Sequence, residues 1–494
     1  MDIEEAKRRA KAGPGILIIR RLFALLVAFV STVTIARLVR PSAFGLANMS
    51  TIIFSFAAIF RDFGLTNAVL RKGHISQSEL TLIFWFNAAT TLFLSLVIAI
   101  LSPFIADFYG EPIVRYVVLV SLAGFLVNGL TLQHRAMINR DLRFTAIAVT
   151  DTVCSAAGLA LTIVLALMWH DVWSIVLGGV FQAVLTSVAY VVLSGWRPGR
   201  FRKTEELRSL LQFGGNSSVY ALSIFVSQNI SAILIGRMFD PAALGQYNRA
   251  QAILNLPTAN LIQPITQAIL PLMTRLRAHP EEYRLAYLSL TRKLCVFLMP
   301  MAVALTFASV PLTMALLGDQ WRVAGQVLMA LSPVLGVLGL MYAVGDLFVT
   351  QDRSAELRNL GLFEMVIRVA SVCVGLLFGL VGAAAGYSIG TTIVGIVRIR
   401  VAGRTGPVTT RDQFSQALPS LPLIAGACLG GIVAIWGGAG QAPAIQASGI
   451  LGGAALTSLA VGLLFARTRA ALYELAEVFG LHKLAVLGTY LRRR

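Results

Sequence analysis

Charge is what this chain of 494 residues has least of: Asp, Glu, Lys and Arg together make up 13% of it. A soluble domain carries about a quarter, so an ordinary water-facing surface is excluded. Thiol and imidazole are also scarce, with four cysteines and five histidines. Cys154, Cys295, Cys373 and Cys428 each fall inside or at the edge of an apolar run, and His74, His134, His170, His279 and His482 are dispersed. No disulfide and no metal site is therefore expected. No Walker A lysine occurs, the one GxSxG match (GYSIG at 386–390) lies inside an apolar run, and the polar segments on one side are too short for a catalytic domain. The expectation is a protein that is not an enzyme and needs no cofactor.

What the chain does have is apolar sequence, with 57% hydrophobic residues and a mean hydropathy of +0.77. Runs of about 20 apolar residues recur from Ile16 to Phe465, each long enough to cross a bilayer as a helix. A barrel would instead show short alternating segments of about ten residues. The runs predict an all-α polytopic membrane protein with about 14 transmembrane helices. They lie near 16–36, 45–69, 80–106, 112–133, 144–168, 172–194, 212–235, 245–272, 294–317, 324–349, 357–378, 380–397, 418–436 and 446–466.

The formal net charge of +18 reports orientation, because the basic residues fall on alternate connections. With the N-terminus in the cytoplasm, that side receives RKGH, HRAMINRDLR, GWRPGRFRKTEELR, RLRAHPEEYR and the terminal RRR. The other side holds Arg37, Arg40, Arg115, Arg237 and Arg322 against about thirty inside, a strong positive-inside bias. Both termini are thus expected in the cytoplasm. The excess charge fits contact with anionic lipid, and no nucleic-acid partner is expected.

The chain repeats itself. TIARLVRPSAFGLANMS at 34–50 aligns without a gap to LIGRMFDPAALGQYNRA at 234–250. A second anchor pairs PFIADFYGE at 103–111 with PLTMALLGD at 311–319. The first copy follows span 1 and the second follows span 7, so the spacing predicts two six-helix lobes related by a parallel repeat, plus two extra C-terminal helices. The expected domains are an N-lobe at 1–200, a C-lobe at 201–402, helices 13 and 14 at 403–466, and a cytoplasmic amphipathic tail or bundle-packing helix at 467–494. Both repeated loops place Pro then Gly, which reads as a short outer turn in which Gly permits the sharp re-entry.

Polar stripes follow the repeated loops. Asn48, Thr51, Ser55 and Asp62 lie on one face of span 2, and Asn248, Gln251, Asn255 and Thr258 on one face of span 8, at helical steps of three, four and seven. Span 7 adds Asn216, Tyr220, Ser223 and Ser227. Polar faces in lipid meet either each other or water, and the large amides favour a hydrated cavity between the halves. Arg20, Arg21 and Arg61 stand at headgroup level, where guanidinium meets phosphate or marks topology. Arg249 points away from the amide face on an ideal wheel. Glu364 and Arg368, one turn apart, predict a structural ion pair.

ARLVRPSAFGLANMS, FRDFGLTNAVLRK, FWFNAA, FYGEP, HRAMINRDLRF, LLQFGGNSSVYALSIFVSQNISAILIGRMFDPAALGQYNRA and LPTANLIQPITQAILPLMTRL resemble the Wzx-type polysaccharide repeat-unit flippases. These form the polysaccharide transporter branch of the MOP exporter superfamily, and the likeness is to the colanic-acid-exporter group over about 10–400. The resemblance implies a flippase of undecaprenyl-diphosphate-linked oligosaccharide for exopolysaccharide or lipopolysaccharide biosynthesis, in the bacterial inner membrane. It implies polysaccharide polymerase or export machinery as a partner and keeps Arg249, in YNRA, among the cavity candidates. A cation-coupled multidrug exporter of the same superfamily and a membrane enzyme of glycan assembly remain the alternatives.

Overall fold

The computed structural model describes residues 30, 32–62, 76–141, 143–200, 207–438 and 440–478. Among these every regular element is helical. Eleven helices or helical runs are long and apolar enough to cross a membrane, and a shorter apolar helix covers Leu222–Met238. The protein is an all-α, multi-pass membrane protein. Arg20, Arg21 and most of the expected first span lie outside the described residues. The backbone divides into two compact units, Met1–Val219 and Tyr220–Arg494.

The first unit contains α1 (Pro41–Asp62), α2 (Gln77–Tyr109), α3 (Ile113–Arg140), α4 (Phe144–Trp169) and α5 (Val172–Ser194). Here α3 packs against α1, α2, α4 and α5. The ends are written in the local chemistry. Ser76 and Glu79 form a capping box on α2, satisfying backbone donors that no helical carbonyl reaches. Asp171 caps α5 in the same spirit, accepting from the Val172 amide at 2.6 Å.

Helix α6 (Leu207–Met238) leads into the second unit. There α7 (Pro241–Pro257) runs through a π-helical turn, Thr258–Ile262, into α8 (Gln263–Arg275). Pro257 has no amide hydrogen to donate, which breaks the regular ladder at that point. The long α9 (Pro280–Leu317) packs against α10 (Arg322–Leu331) and α11 (Pro333–Met341), which is followed by α12 (Val344–Thr350). α13 (Ser354–Leu376) and α14 (Gly379–Ala402) form a tight hairpin. After the short α15 (Thr410–Ser415), α16 (Leu421–Gly437) and α17 (Pro443–Leu464) pair with each other and lie on α9. The last described helix, α18 (Ala466–Val478), also packs on α9, where Arg292 holds Glu474 at 2.7 Å.

The repeat has a structural meaning that differs from a turn. Pro41 and Pro241 are the first residues of α1 and α7, the position where a missing amide costs nothing. Gly45 and Gly245 are buried inside the first turns of those helices. The reversal is made by the two residues before each proline, so the glycines lie inside the helices and not at the bend. The second copy adds a cap of its own, Asp240 Oδ1 accepting from Ala243 N at 2.7 Å. The other anchor pair also coincides: Gly110 and Gly318 each end a helix at positive φ, +71° and +104°.

Candidate functional site: polar faces on the spanning helices

In the first unit, Thr51 lines a cavity of about 250 Å³ together with Ser50, Ser121 and Gly179, between α1, α3 and α5. Thr51 and Ser55 are exposed, and their hydroxyls donate back to Ala47 O and Thr51 O at 2.9 and 2.8 Å. Asn48 is half-buried, and its Oδ1 is buried with no hydrogen-bond partner among the described residues. Asp62 ends α1, and its side chain lies outside the described residues.

Gly179 also lines a second, larger cavity of about 530 Å³ between α3, α4 and α5. Nine of its twelve lining residues are polar, although all three helices are apolar enough to span a membrane. Tyr190 donates its hydroxyl to Asp151 Oδ1 at 2.5 Å, and Arg135 approaches Asp151 Oδ2 at 3.4 Å. Thr131 and Ser187 share a hydrogen bond of 3.1 Å. Arg61, expected at the headgroups, is buried: Nη2 donates to Asn128 Oδ1 at 3.2 Å, and the guanidinium lies 4.7 Å from the centre of the Phe125 ring. A cation over an aromatic face is held there electrostatically. Arg61 thereby braces Asn128, which lines the larger cavity.

In the second unit, Asn248 and Gln251 are half-buried and Asn255 is exposed along α7. Thr258 opens the π turn and donates to Asn255 O at 2.8 Å. One extra residue in that turn shifts the helical phase, so the stripe above it does not continue in register below. Arg249 is half-buried on the same helix. Ser223 and Ser227 are buried on α6, while the side chains of Asn216 and Tyr220 lie outside the described residues.

Glu364 and Arg368 meet at 2.6 Å, both buried. They have company that spacing alone does not show. Arg398 reaches the other carboxylate oxygen of Glu364 at 3.1 Å, and Arg368 Nη1 donates to Tyr387 Oη at 2.7 Å. Two guanidiniums thus share one carboxylate.

The large cavity was also legible in principle. Asn128, Thr131 and Arg135 on α3, Asp151 and Ser155 on α4, and Gln182, Thr186 and Tyr190 on α5 follow the steps of three, four and seven that mark one helix face. Asp151 alone draws notice in a residue-by-residue search for intramembrane charge; the face as a whole emerges only when uncharged polar residues are stepped through as well.

Comparison with known proteins follows the same lines. The model of the polysaccharide biosynthesis protein family matches residues 34–326, more than half of the chain. The lipopolysaccharide biosynthesis protein WzxC of Escherichia coli (strain K12) is 23% identical over 377 residues, 75% of each chain. The succinoglycan biosynthesis transport protein ExoT of Rhizobium meliloti (strain 1021) is 23% identical over 63% of this chain and 62% of its own. Among solved structures, the lipid II flippase MurJ in an inward closed conformation superposes with a TM-score of 0.72. The match has 14% identity and covers 92% of this chain and 99% of that one. An inward-facing multidrug resistance MATE family transporter of the MOP superfamily gives a TM-score of 0.62 at 17% identity, over 78% and 97%. The last two show a shared fold, and the family match, spanning both copies of the repeat, shows that this chain belongs to the polysaccharide biosynthesis protein family.

Proposed function

We propose that the protein is a Wzx-type flippase that moves undecaprenyl-diphosphate-linked oligosaccharide repeat units from the cytoplasmic to the periplasmic leaflet of the bacterial inner membrane. The product feeds exopolysaccharide or lipopolysaccharide biosynthesis, with polymerase or export machinery as the receiving partner. One observation carries the reading: helices apolar enough to span a bilayer border an open cavity of about 530 Å³ lined mainly by polar side chains. A sugar headgroup stranded in hydrocarbon forfeits several kcal/mol per unsatisfied hydroxyl, and such a lining replaces the lost hydrogen bonds. The names of the relatives, from lipopolysaccharide biosynthesis to succinoglycan transport and lipid II flipping, support the same substrate class.

The internal repeat supports alternating access, with each half exposing the headgroup route to one side in turn. The stripes Asn48–Thr51–Ser55 and Asn248–Gln251–Asn255 contribute to that route. Both termini face the cytoplasm in this reading, which the positive-inside bias supports. The test is the position of the lipid-linked repeat unit in cells lacking this protein. Units protected inside intact spheroplasts from a membrane-impermeant sugar-modifying reagent are expected. Units accessible from outside would overturn the assignment and point to a polymerase.

A further inference from the structure

We propose that the large cavity of the first unit is a saccharide site selective for an uncharged sugar, which deepens and rests on the flippase reading. Its volume of about 530 Å³ falls in the usual range for small-ligand sites. Its charges are already matched: the only ionisable residues lining it besides Tyr190 are Arg135 and Asp151, which lie 3.4 Å apart. Tyr190 donates to the same carboxylate. A uronate or a phosphate entering here would meet one cation already facing its own anion, and would add a second negative charge beside Asp151.

The unengaged groups are neutral. Ser155, Gln182 and Thr186 line the cavity with no hydrogen-bond partner among the described residues. Together they offer two hydroxyls and an amide, each a donor and an acceptor. That inventory suits the hydroxyls of a neutral sugar ring, each of which also donates and accepts. Asp151 and Arg135 retain acceptor and donor capacity on their exposed sides, at 45% and 57% side-chain exposure. Asp151 is therefore the specificity-determining residue: it cancels Arg135 and leaves hydroxyl recognition to decide.

The experiment uses the full chain in nanodiscs, with two probes presented separately. One is an undecaprenyl-diphosphate-linked neutral oligosaccharide and the other is its uronate-bearing counterpart. Retention of each is read by native mass spectrometry. The wild type is expected to hold the neutral probe at least tenfold better. Asp151→Asn frees Arg135, and is expected to shift the ratio at least tenfold towards the uronate. Gln182→Leu with Thr186→Val, which keeps volume and removes hydrogen bonding, is expected to lower retention of the neutral probe at least tenfold without moving the melting temperature. Equal retention of both probes by wild type, or an unchanged ratio in Asp151→Asn, overturns the proposal. If Asp151→Asn fails to fold, normal retention by the Gln182/Thr186 variant overturns it. Either failure leaves the flippase reading to stand on leaflet position in the deletion strain, which tests it separately.

Discussion

Glu364 lies ten residues into α13, about 15 Å along the helix axis, or half of a hydrocarbon core of about 30 Å. Its carboxylate faces two guanidiniums, and the side chains of Glu364, Arg368 and Arg398 are 12%, 6% and 15% exposed. The three therefore carry one excess positive charge in a buried setting, and the perturbations are not equivalent. Glu364→Gln leaves two like charges with no counter-ion, and breaking a buried pair in this way costs about 3–5 kcal/mol. Arg368→Met or Arg398→Met leaves one acid and one base, and costs about 1–2 kcal/mol, mostly lost hydrogen bonds. For a unit of this size the glutamate loss corresponds to a fall in melting temperature of roughly 6–20 °C. Melting of detergent-solubilised protein, followed by fluorescence-detected size exclusion, reads the order directly. Replacing all three residues by methionine is expected to recover most of the loss. Should Glu364→Gln melt no lower than either single arginine variant, the excess-charge reasoning is wrong.

Other expectations follow from single contacts. Gln246 donates to Gln320 O at 2.6 Å and accepts from Ala324 N at 2.8 Å. Gln246→Leu strands a buried amide, and is expected to lower stability by about 1–3 kcal/mol in the same melting assay. Asp240→Ala removes the cap on α7 and is expected to cost about 1 kcal/mol, whereas Arg40→Ala at the matching place in the first copy, where the contact is backbone to backbone, is expected to leave melting unchanged. A Cβ at residue 386 would stand 2.2 Å from Ser371 O. Even Gly386→Ala should therefore prise α13 from α14 and reduce the yield of folded protein, as read by size exclusion. Replacing Ser55 and Asn255 together by Leu is expected to stop polymer export while leaving the protein inserted; normal export would remove the two stripes from the route.

Helix existence was readable because a bilayer makes it a question of apolar length, and α2, α4 and α5 begin and end within three residues of their apolar runs, whereas α3 continues two turns past its run through the polar segment QHRAMINR. Helix α9 was not: it starts at Pro280, well before the run at 294, because its first turns are polar. Proline at the first position and Glu281 and Glu282 beside the helix N-terminus stabilise those turns without any hydrophobicity. The Pro–Gly motif was visible as a repeat but misread as a turn, since sequence does not say whether a small residue bends the chain or lies inside the helix that follows. Glu364 and Arg368 announce each other at one helical turn, while Arg398 joins them only through the folding of α14 onto α13. Arg61 shows the same limit: its charge was obvious, and its seat between Phe125 and Asn128 belongs to tertiary structure.

The α13–α14 hairpin is fastened at three heights. At its closed end Gly375 and Gly386 let the backbones touch, and in the middle Glu364 grips Arg398. At its open end Arg353 donates to the carbonyls of Val401, Ala402 and Thr405 while paired to Glu356. A ladder bolted at both ends and at its centre rung resists shear, so these two helices are expected to move as one body. Within the second unit, deformation is then expected at the π turn between α7 and α8, where Pro257 interrupts the helical ladder. Amide exchange there should outpace that of the hairpin.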